Sequence, residues 1–189
     1  MILCGGTLIT RKAALSAVHC FSDFDEIDFK TTFVYANISQ VYSYASKRAQ
    51  KSRIRHIYAN FQTKPILGNL KRWRPDVAVI LLETTFKLDA FVRPACLPQK
   101  EAQMGLNCYT SGWGLSQKLT DKELEEIHRT DKAPNLNLKA VKLKLIPSSF
   151  CQSDDTQTLF LNRYEICAGA VQKGPCLGDS GGPLICLGN

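Results

Sequence analysis

The stretch from Gly174 to Cys186 has the composition of a nucleophile loop. It reads GPCLGDSGGPLIC, so Ser180 has a glycine two places before it and two glycines directly after it. Glycine lets the backbone approach a reacting atom closely. If Ser180 is a nucleophile, the N–H groups of Gly178 and Ser180 are the donors that could stabilise a developing oxyanion. The alternative for this stretch taken alone is a glycine-rich turn between two strands.

A serine nucleophile needs a base, and the chain has three histidines. His19 follows a short apolar segment and adjoins Cys20, so a bridge to Cys4 would hold it in place. His56 lies in a charged run and His128 follows an acidic stretch, which predicts that both are solvated. His19 is therefore the candidate base, with a buried structural histidine as the alternative.

Asp76 stands at the head of the apolar run 77–82, which predicts a buried strand that carries the carboxylate into or beside the core. A buried charge is costly unless it is hydrogen-bonded, and an imidazole N–H is a suitable partner. A carboxylate that only caps its strand is the alternative. Together, His19, Asp76 and Ser180 are the three groups that acyl transfer by a hydroxyl requires.

Length and composition limit the folds that the chain can adopt. The chain has 189 residues, of which 44% are hydrophobic, enough for one compact domain or two small subdomains. The proline-bounded connector 92–98 marks the midpoint, which predicts subdomains 1–95 and 96–189. Short strands with frequent turns predict an all-β barrel or sandwich, and the basic segment 63–75 is predicted to be an exposed connection.

The charge pattern limits the partners. The net charge is +7, so an anionic partner is conceivable, but no nucleic-acid motif occurs and no apolar run is long enough to span a membrane. The acidic cluster Asp23, Asp25, Glu26 and Asp28 could hold calcium through oxygen ligands. It lacks the glycine and terminal glutamate of an EF-hand loop, so we expect a hydrated loop and no metal or cofactor.

Cysteine usage indicates an oxidising compartment. Eight cysteines occur without a CxxC pair, which favours disulfides over a zinc site. Asn37 begins a glycosylation sequon. Both features predict an extracellular protein. Because Met1 leads directly to Cys4 without a signal-peptide pattern, we also expect a chain trimmed relative to the secreted protein.

Seven motifs occur in the order found in trypsin-like (chymotrypsin-fold) serine proteases, and the chain resembles that family from Cys4 to Cys186. The motifs are CGGTLI, SAVHC, DVAVILL, RPACLP, CYTSGWG, ICAG and CLGDSGGPLIC. The resemblance implies two packed six-stranded antiparallel β-barrels with the site between them. It also implies that His19 is the general base and acid, Asp76 orients it, Ser180 attacks, and Gly178 and Ser180 donate to the oxyanion.

The same resemblance implies the state of every cysteine. It pairs Cys4 with Cys20, Cys108 with Cys186 and Cys151 with Cys167. It leaves Cys96 and Cys176 unpaired, and Cys96 matches the cysteine that tethers a propeptide or light chain in many members of the family.

The chain departs from the family pattern at its ends and in its specificity pocket. Asp179 matches the aspartate that pairs with a freed Ile-Val-Gly-Gly ammonium in the family. Because Met1 lies only three residues before Cys4, we expect Asp179 to lack that partner and the oxyanion loop to be zymogen-like. We also expect the chain to lack the last strands and terminal helix of the family. Gly174 stands at the floor of the primary pocket, where cleavage after Arg or Lys would want a carboxylate. Apolar or small side chains are therefore the predicted preference.

The leading prediction is a serine endopeptidase that cleaves proteins or peptides through an acyl-enzyme and is inactive or zymogen-like as the trimmed chain. The alternative is a non-catalytic homologue that binds a partner through the basic segments Lys47–Arg55 and Lys71–Arg74, the first of which is a candidate polyanion site.

Overall fold

A computed structural model of the protein describes residues 4–21, 31–40, 47–59, 63–67, 70–73, 75–115, 137–151 and 165–187. For 63–67 and 70–73 it describes the backbone alone. The side chains of Lys71, Arg72 and Arg74, the basic residues of the segment Lys71–Arg74, therefore lie outside what the structure describes.

Five short strands form the first sheet. They are β1 (Thr7–Thr10), β2 (Ala13–Ser16), β3 (Phe33–Ala36), β4 (Gln50–Ala59) and β7 (Ala78–Leu82). Their order across the sheet is β1-β2-β7-β4-β3, and all neighbouring pairs are antiparallel. β7 buries every second residue, as expected of a strand with one face against the core.

The core of this sheet is formed where β7 and β4 meet the residues before His19. Val18, Ala78 and Leu82 are completely buried, and Ile54 and Ile80 pack in the same cluster. A 3₁₀ helix, Val18–Phe21, follows β2 and begins in this core. His19 is therefore carried by a backbone whose preceding residue is fixed by apolar packing.

A hairpin lies between β4 and β7 in the chain. β5 (Thr63–Leu67) and β6 (Leu70–Trp73) pair only with each other, with a register shift near Pro65. The sequence predicts an exposed connection here, and that prediction is wrong for the backbone. Pro65 is compatible with this pairing, because an edge strand can hold a proline at a position where its missing N–H costs no ladder bond.

Four strands form the second sheet. They are β8 (Asn107–Gly112), β9 (Lys139–Ile146), β10 (Cys167–Gly169) and β11 (Leu184–Cys186), in the order β10-β9-β8-β11 and antiparallel throughout. β9 exposes Lys142 and Lys144 and buries Leu143 and Leu145, so its lysines form a solvated face. A second 3₁₀ helix, Ser148–Cys151, follows β9.

The predicted all-β class is confirmed, with strands antiparallel in two sheets that share no strand. Within the described ranges the two larger sheets contain five and four strands, and β5 and β6 form a separate two-stranded sheet. The sequence predicts two six-stranded barrels that are incomplete in this chain. In the part of the chain that is described, no helix has the length and apolarity needed to cross a membrane.

Candidate active site

His19 and Asp76 are joined at two points. The His19 backbone N–H donates to Asp76 Oδ1 at 3.0 Å, and the ring Nδ1 lies 2.6 Å from Asp76 Oδ2. Since a carboxylate only accepts, Nδ1 carries the hydrogen in this contact. The contact therefore selects the tautomer in which Nε2 of the neutral ring carries no hydrogen and is the atom that accepts a proton.

The His19 pair lies at the edge of the core, where solvent reaches it. The His19 side chain is 43% exposed and that of Asp76 is 37% exposed. Asp76 lies two residues before the start of β7, so the carboxylate lies beside the core rather than within it. Its two oxygens contact His19, so the structure favours the histidine-binding role over the alternative of a strand cap.

The Cys4–Cys20 disulfide anchors His19 from the other side. Cys20 follows His19 directly in the 3₁₀ helix, and the disulfide joins it to Cys4. A ring nitrogen of His19 and the two sulfurs all lie within 4.8 Å of one another. Because both sulfurs are used in the disulfide, this group supplies no thiolate for a metal ion.

Ser180 is tied to the first sheet through Gly5. The backbone N–H of Gly5 donates to the carbonyl oxygen of Ser180 at 2.7 Å. The hydroxyl of Ser16, which is buried at the end of β2, donates to the carbonyl oxygen of Gly5 at 2.9 Å. Gly5 thus bridges the serine loop and the strand that leads into His19.

Gly181 allows the serine loop to lie close to Gly5 and to the segment that carries His19. Its φ is +75°, and a Cβ at this position would meet Gly5 O at 2.7 Å and Ala17 N at 3.0 Å. Ala17 is two residues before His19, so the residue after Ser180 packs directly on the segment that carries the histidine. Sequence reasoning missed the roles of Gly5 and Ser16, and the double glycine after Ser180 was the available signal.

Asp179 fixes the other side of the loop to the end of β8. Its Oδ1 accepts the N–H of Gly114 at 2.7 Å, and its Oδ2 accepts the N–H of Cys176 at 2.9 Å. The carboxylate lies so near Gly112 and Gly114 that a Cβ on either would overlap it. The sequence left Asp179 without a partner, whereas the structure supplies two backbone donors.

Gly178 and Ser180, the two candidate oxyanion donors, differ from Asp179 between them in the hydrogen bonding of their backbone N–H groups. The N–H of Asp179 donates to Cys176 O at 3.0 Å. Within the described ranges, the N–H groups of Gly178 and Ser180 donate to no protein group. Gly178 has a φ of +94°, a conformation that favours glycine.

A cavity of about 450 Å³ opens beside Ser180. Its walls come from β8, β9, β10 and the serine loop, and they combine apolar residues with polar groups. The apolar residues include Leu143, Ile166 and Pro175, and the polar groups include the Thr110 hydroxyl and the Asp179 carboxylate. Gly174 is exposed and does not line this cavity, and a Cβ added to Gly174 would meet nothing within 4 Å.

The six cysteines other than Cys4 and Cys20 form two disulfides and leave two free thiols. Disulfides join Cys108 to Cys186, across β8 and β11, and Cys151 to Cys167, between the second 3₁₀ helix and β10. Cys96 is free and exposed, and Cys176 is free and half-buried.

The other candidate residues lie away from this site or outside the described residues. His56 is exposed on β4 and contacts the Tyr58 ring edge-on, with 4.3 Å between ring centroids. The Asn37 side-chain nitrogen, to which a glycan would attach, donates to Arg48 O at 3.1 Å. His128 and the acidic cluster 23–28 lie outside the described residues.

An antiparallel two-sheet fold with a His–Asp pair beside a glycine-flanked serine is typical of one class of hydrolase, the serine proteases. The family model described as Trypsin matches residues 1–189, and the chain therefore belongs to the trypsin family.

Individual proteins agree with this assignment. The chain is 30% identical over 190 residues to the atrial natriuretic peptide-converting enzyme of Mus musculus, covering 97% of this chain and 15% of that protein. It is 28% identical over 188 residues to the kallikrein 1-related peptidase-like b4 of the same species, covering 98% of this chain and 67% of that protein. The chain thus spans a small part of the first relative and about two thirds of the second.

A solved structure shows the same fold. Neuropsin, described as a serine protease expressed in the limbic system of mouse brain, superposes with a TM-score of 0.74 at 23% sequence identity. The match covers 98% of this chain and 73% of the neuropsin chain.

Proposed function

We propose that the protein is a serine endopeptidase that hydrolyses peptide bonds in proteins or peptides through an acyl-enzyme, with His19, Asp76 and Ser180 as its catalytic residues. The observation that carries this proposal is the two-point contact between His19 and Asp76. A histidine held at both its backbone and its ring has one orientation and one tautomer, which is what a general base for a serine hydroxyl requires.

In the proposed reaction, His19 Nε2 takes the proton of the Ser180 hydroxyl as its oxygen attacks the peptide carbonyl carbon. The imidazolium that forms is stabilised by Asp76, which already lies 2.6 Å from Nδ1. His19 then gives the proton to the leaving amine, and water, activated in the same way, releases the acid and restores Ser180.

The N–H groups of Gly178 and Ser180 are the proposed donors to the oxyanion. Their freedom from other described protein acceptors supports this role, since a donor already used elsewhere could not serve. Loss of one such donor typically raises the barrier by about 2.7–4 kcal/mol.

The apolar residues Leu143, Ile166 and Leu184 in the wall of the cavity beside Ser180 support a preference for apolar or small side chains on the acyl side of the cleaved bond. The Asp179 carboxylate in the same wall already accepts the N–H groups of Gly114 and Cys176. Three disulfides among the described cysteines support the proposal that the enzyme works outside the cell.

An active-site fluorophosphonate tests the proposal, because it reacts with a serine only when a base activates the hydroxyl. We expect covalent labelling at Ser180, no labelling after His19→Ala, and full labelling after His56→Ala, which removes an exposed histidine away from the site. A panel of peptide esters then tests the preference, and faster turnover of Arg or Lys esters than of Phe, Leu or Val esters would contradict it.

Failure of the folded wild-type chain to react would fit either the zymogen-like protease that the sequence predicts or the alternative, a non-catalytic homologue that acts as a binding module. Labelling of the chain would contradict the zymogen-like expectation. Circular dichroism and an unfolding transition in the same sample establish that the unlabelled chain is folded.

A further inference from the structure

A row of cations crosses the solvent side of the first sheet, on the opposite side from its core. Lys51, Arg53 and Arg55 on β4 are exposed and alternate with the buried residues Ser52 and Ile54. Alternate residues of a strand project on the same face, about 7 Å apart. Lys51 and Arg53 therefore lie on one face of β4, and Arg55 follows them at the register shift between Ile54 and His56, where it is also exposed. We call these three residues the basic row.

Aromatic contacts hold two members of the basic row against the sheet. Lys51 Nζ lies 5.1 Å from the centroid of the Phe33 ring, and Arg53 Cζ lies 5.6 Å from it. Phe33 is the direct cross-strand neighbour of Arg53 on β3. Because one ring attracts both cations, the stems lie along the surface and the charges remain near one another despite their repulsion.

The backbone beneath the basic row is fixed by side-chain hydrogen bonds. The Ser52 hydroxyl oxygen accepts the Thr84 N–H at 2.9 Å and the Thr84 hydroxyl at 3.0 Å. The Gln50 side chain donates to Lys87 O at 2.9 Å and accepts Lys87 N–H at 2.7 Å. These contacts also bring the exposed Lys87 beside the start of β4, which adds a further positive charge.

The basic row lacks charge compensation from the described residues. None of Lys51, Arg53 and Arg55 forms an ion pair with a carboxylate in the described ranges. Glu83 is exposed and its backbone N–H donates to Arg53 O at 2.9 Å, yet its side chain makes no ion pair with the row. Preorganised cations without anionic partners are available to an external anion.

We propose that the basic row, with Lys87 beside it, binds a linear sulfated polysaccharide. Two of its three members are arginines, whose guanidinium forks pair with the oxygens of a sulfate at two points. A sulfated chain presents anionic groups along a line, which matches cations spaced along one strand. The site is separate from Ser180, so it does not depend on the proposed protease activity.

An acidic peptide is the competing occupant, and the aromatic contacts argue against it. Tight peptide recognition relies on apolar side chains that insert into pockets. Here Lys51 and Arg53 lie over the Phe33 ring, the ring that such an anchor would contact. The row therefore offers exposed charge along one strand without a place for such an anchor, which favours the sulfated chain.

The test is a calorimetric titration of the full chain with a size-defined heparin dodecasaccharide. It is carried out at low and at near-physiological ionic strength. The triple variant Lys51→Gln, Arg53→Gln, Arg55→Gln should bind about tenfold more weakly than wild type, given the modest free energy of each exposed ionic contact. Binding should also weaken as salt rises, since exposed charges are screened.

The matched control is the triple variant Lys139→Gln, Lys142→Gln, Lys144→Gln, which removes three exposed positive charges from β9 in the second sheet. It has the same net charge as the β4 triple and should lose less than about twofold in affinity. Equal loss in the two triples would overturn the proposal, because it would mean that total charge alone determines binding.

Two further outcomes are decisive. Tighter binding of an octaglutamate peptide than of the dodecasaccharide would overturn the choice of a sulfated polysaccharide. Fluorophosphonate labelling of Ser180, measured on both triples, should be unchanged, so a failed titration and a failed protease proposal give different results.

Discussion

At the scale of single residues, the geometry around Ser180 depends on the absence of a Cβ atom at Gly181. Gly181 combines a φ of +75° with close approach to Gly5 O and Ala17 N. A side chain here faces two separate costs, a strained backbone and a collision with backbone atoms of the first sheet. The contact that brings Ser180 toward the His19 segment is therefore sensitive to one methyl group.

We expect Gly181→Ala to lower the free energy of unfolding by more than about 2 kcal/mol, strain and overpacking together, and to abolish labelling of Ser180. Urea unfolding and fluorophosphonate labelling measure the two effects.

Gly105→Ala is the matched control, because Gly105 has a φ of +85° but a Cβ there would meet nothing within 4 Å. It should cost only the strain, about 1–2 kcal/mol, and leave labelling intact. Equal effects of the two variants would show that the contact with Gly5 and Ala17 is unimportant.

At the scale of elements, Asp179 joins the serine loop to the end of β8. Its two oxygens serve two different donors, Gly114 and Cys176, so each oxygen must remain an acceptor. An amide retains one acceptor and turns an NH₂ toward the second N–H. The connection therefore needs a carboxylate and not merely a polar group of the same shape.

Asp179→Asn should lower the free energy of unfolding by about 1–3 kcal/mol, the cost of an unsatisfied donor, and should reduce the rate of Ser180 labelling. The labelling rate and urea unfolding measure the two effects.

The control is Asp89→Asn. Asp89 Oδ1 accepts both the Phe91 and the Val92 N–H groups, so the amide oxygen of asparagine can keep both bonds. We expect a near-neutral change there, and a similar loss at both positions would contradict the two-oxygen argument.

The two disulfides with equal spacing act on different elements. Cys4–Cys20 and Cys151–Cys167 each join residues 16 apart, so a chain-entropy estimate gives each about 3 kcal/mol. Only the first adjoins both His19 and Gly5. The double variant Cys4→Ala, Cys20→Ala should therefore lose Ser180 labelling as well as stability.

The double variant Cys151→Ala, Cys167→Ala should lose comparable stability and keep its labelling at temperatures where it is folded. Thermal unfolding and labelling of both variants measure this difference. If both lose labelling to the same degree while folded, the local role of Cys4–Cys20 is refuted.

At the scale of the whole molecule, the sequence predicts those strands and site residues that depend on residue type and on short spacing along the chain. The strands β2, β7, β8 and β9 follow from apolar runs or alternation, and His19 follows from its place between an apolar segment and a cysteine. Asp76 follows from its position ahead of a buried run. These features depend on local patterns, which a single sequence carries.

Contacts between distant segments could not be predicted in this way. Nothing in the residue types of Gly5 and Ser16 indicates that they form a hydrogen-bonded link to Ser180. The β5–β6 pairing was missed because Pro65 and the basic residues around it match an exposed connection as well as they match a ribbon. The two backbone donors to Asp179 depend on a turn geometry that only the folded chain defines.

The hydrogen bond from Gly5 to Ser180 also sets the order in which the protein can become reactive. It joins a residue near the beginning of the described chain to one near its end, so its formation closes almost the whole chain into a loop. Contacts of such long range are slow to form because the entropy of loop closure must be overcome first. We therefore expect the serine to become nucleophilic late in folding, after both sheets are built. An unfinished chain then has no activated serine with which to attack itself or the proteins that help it fold.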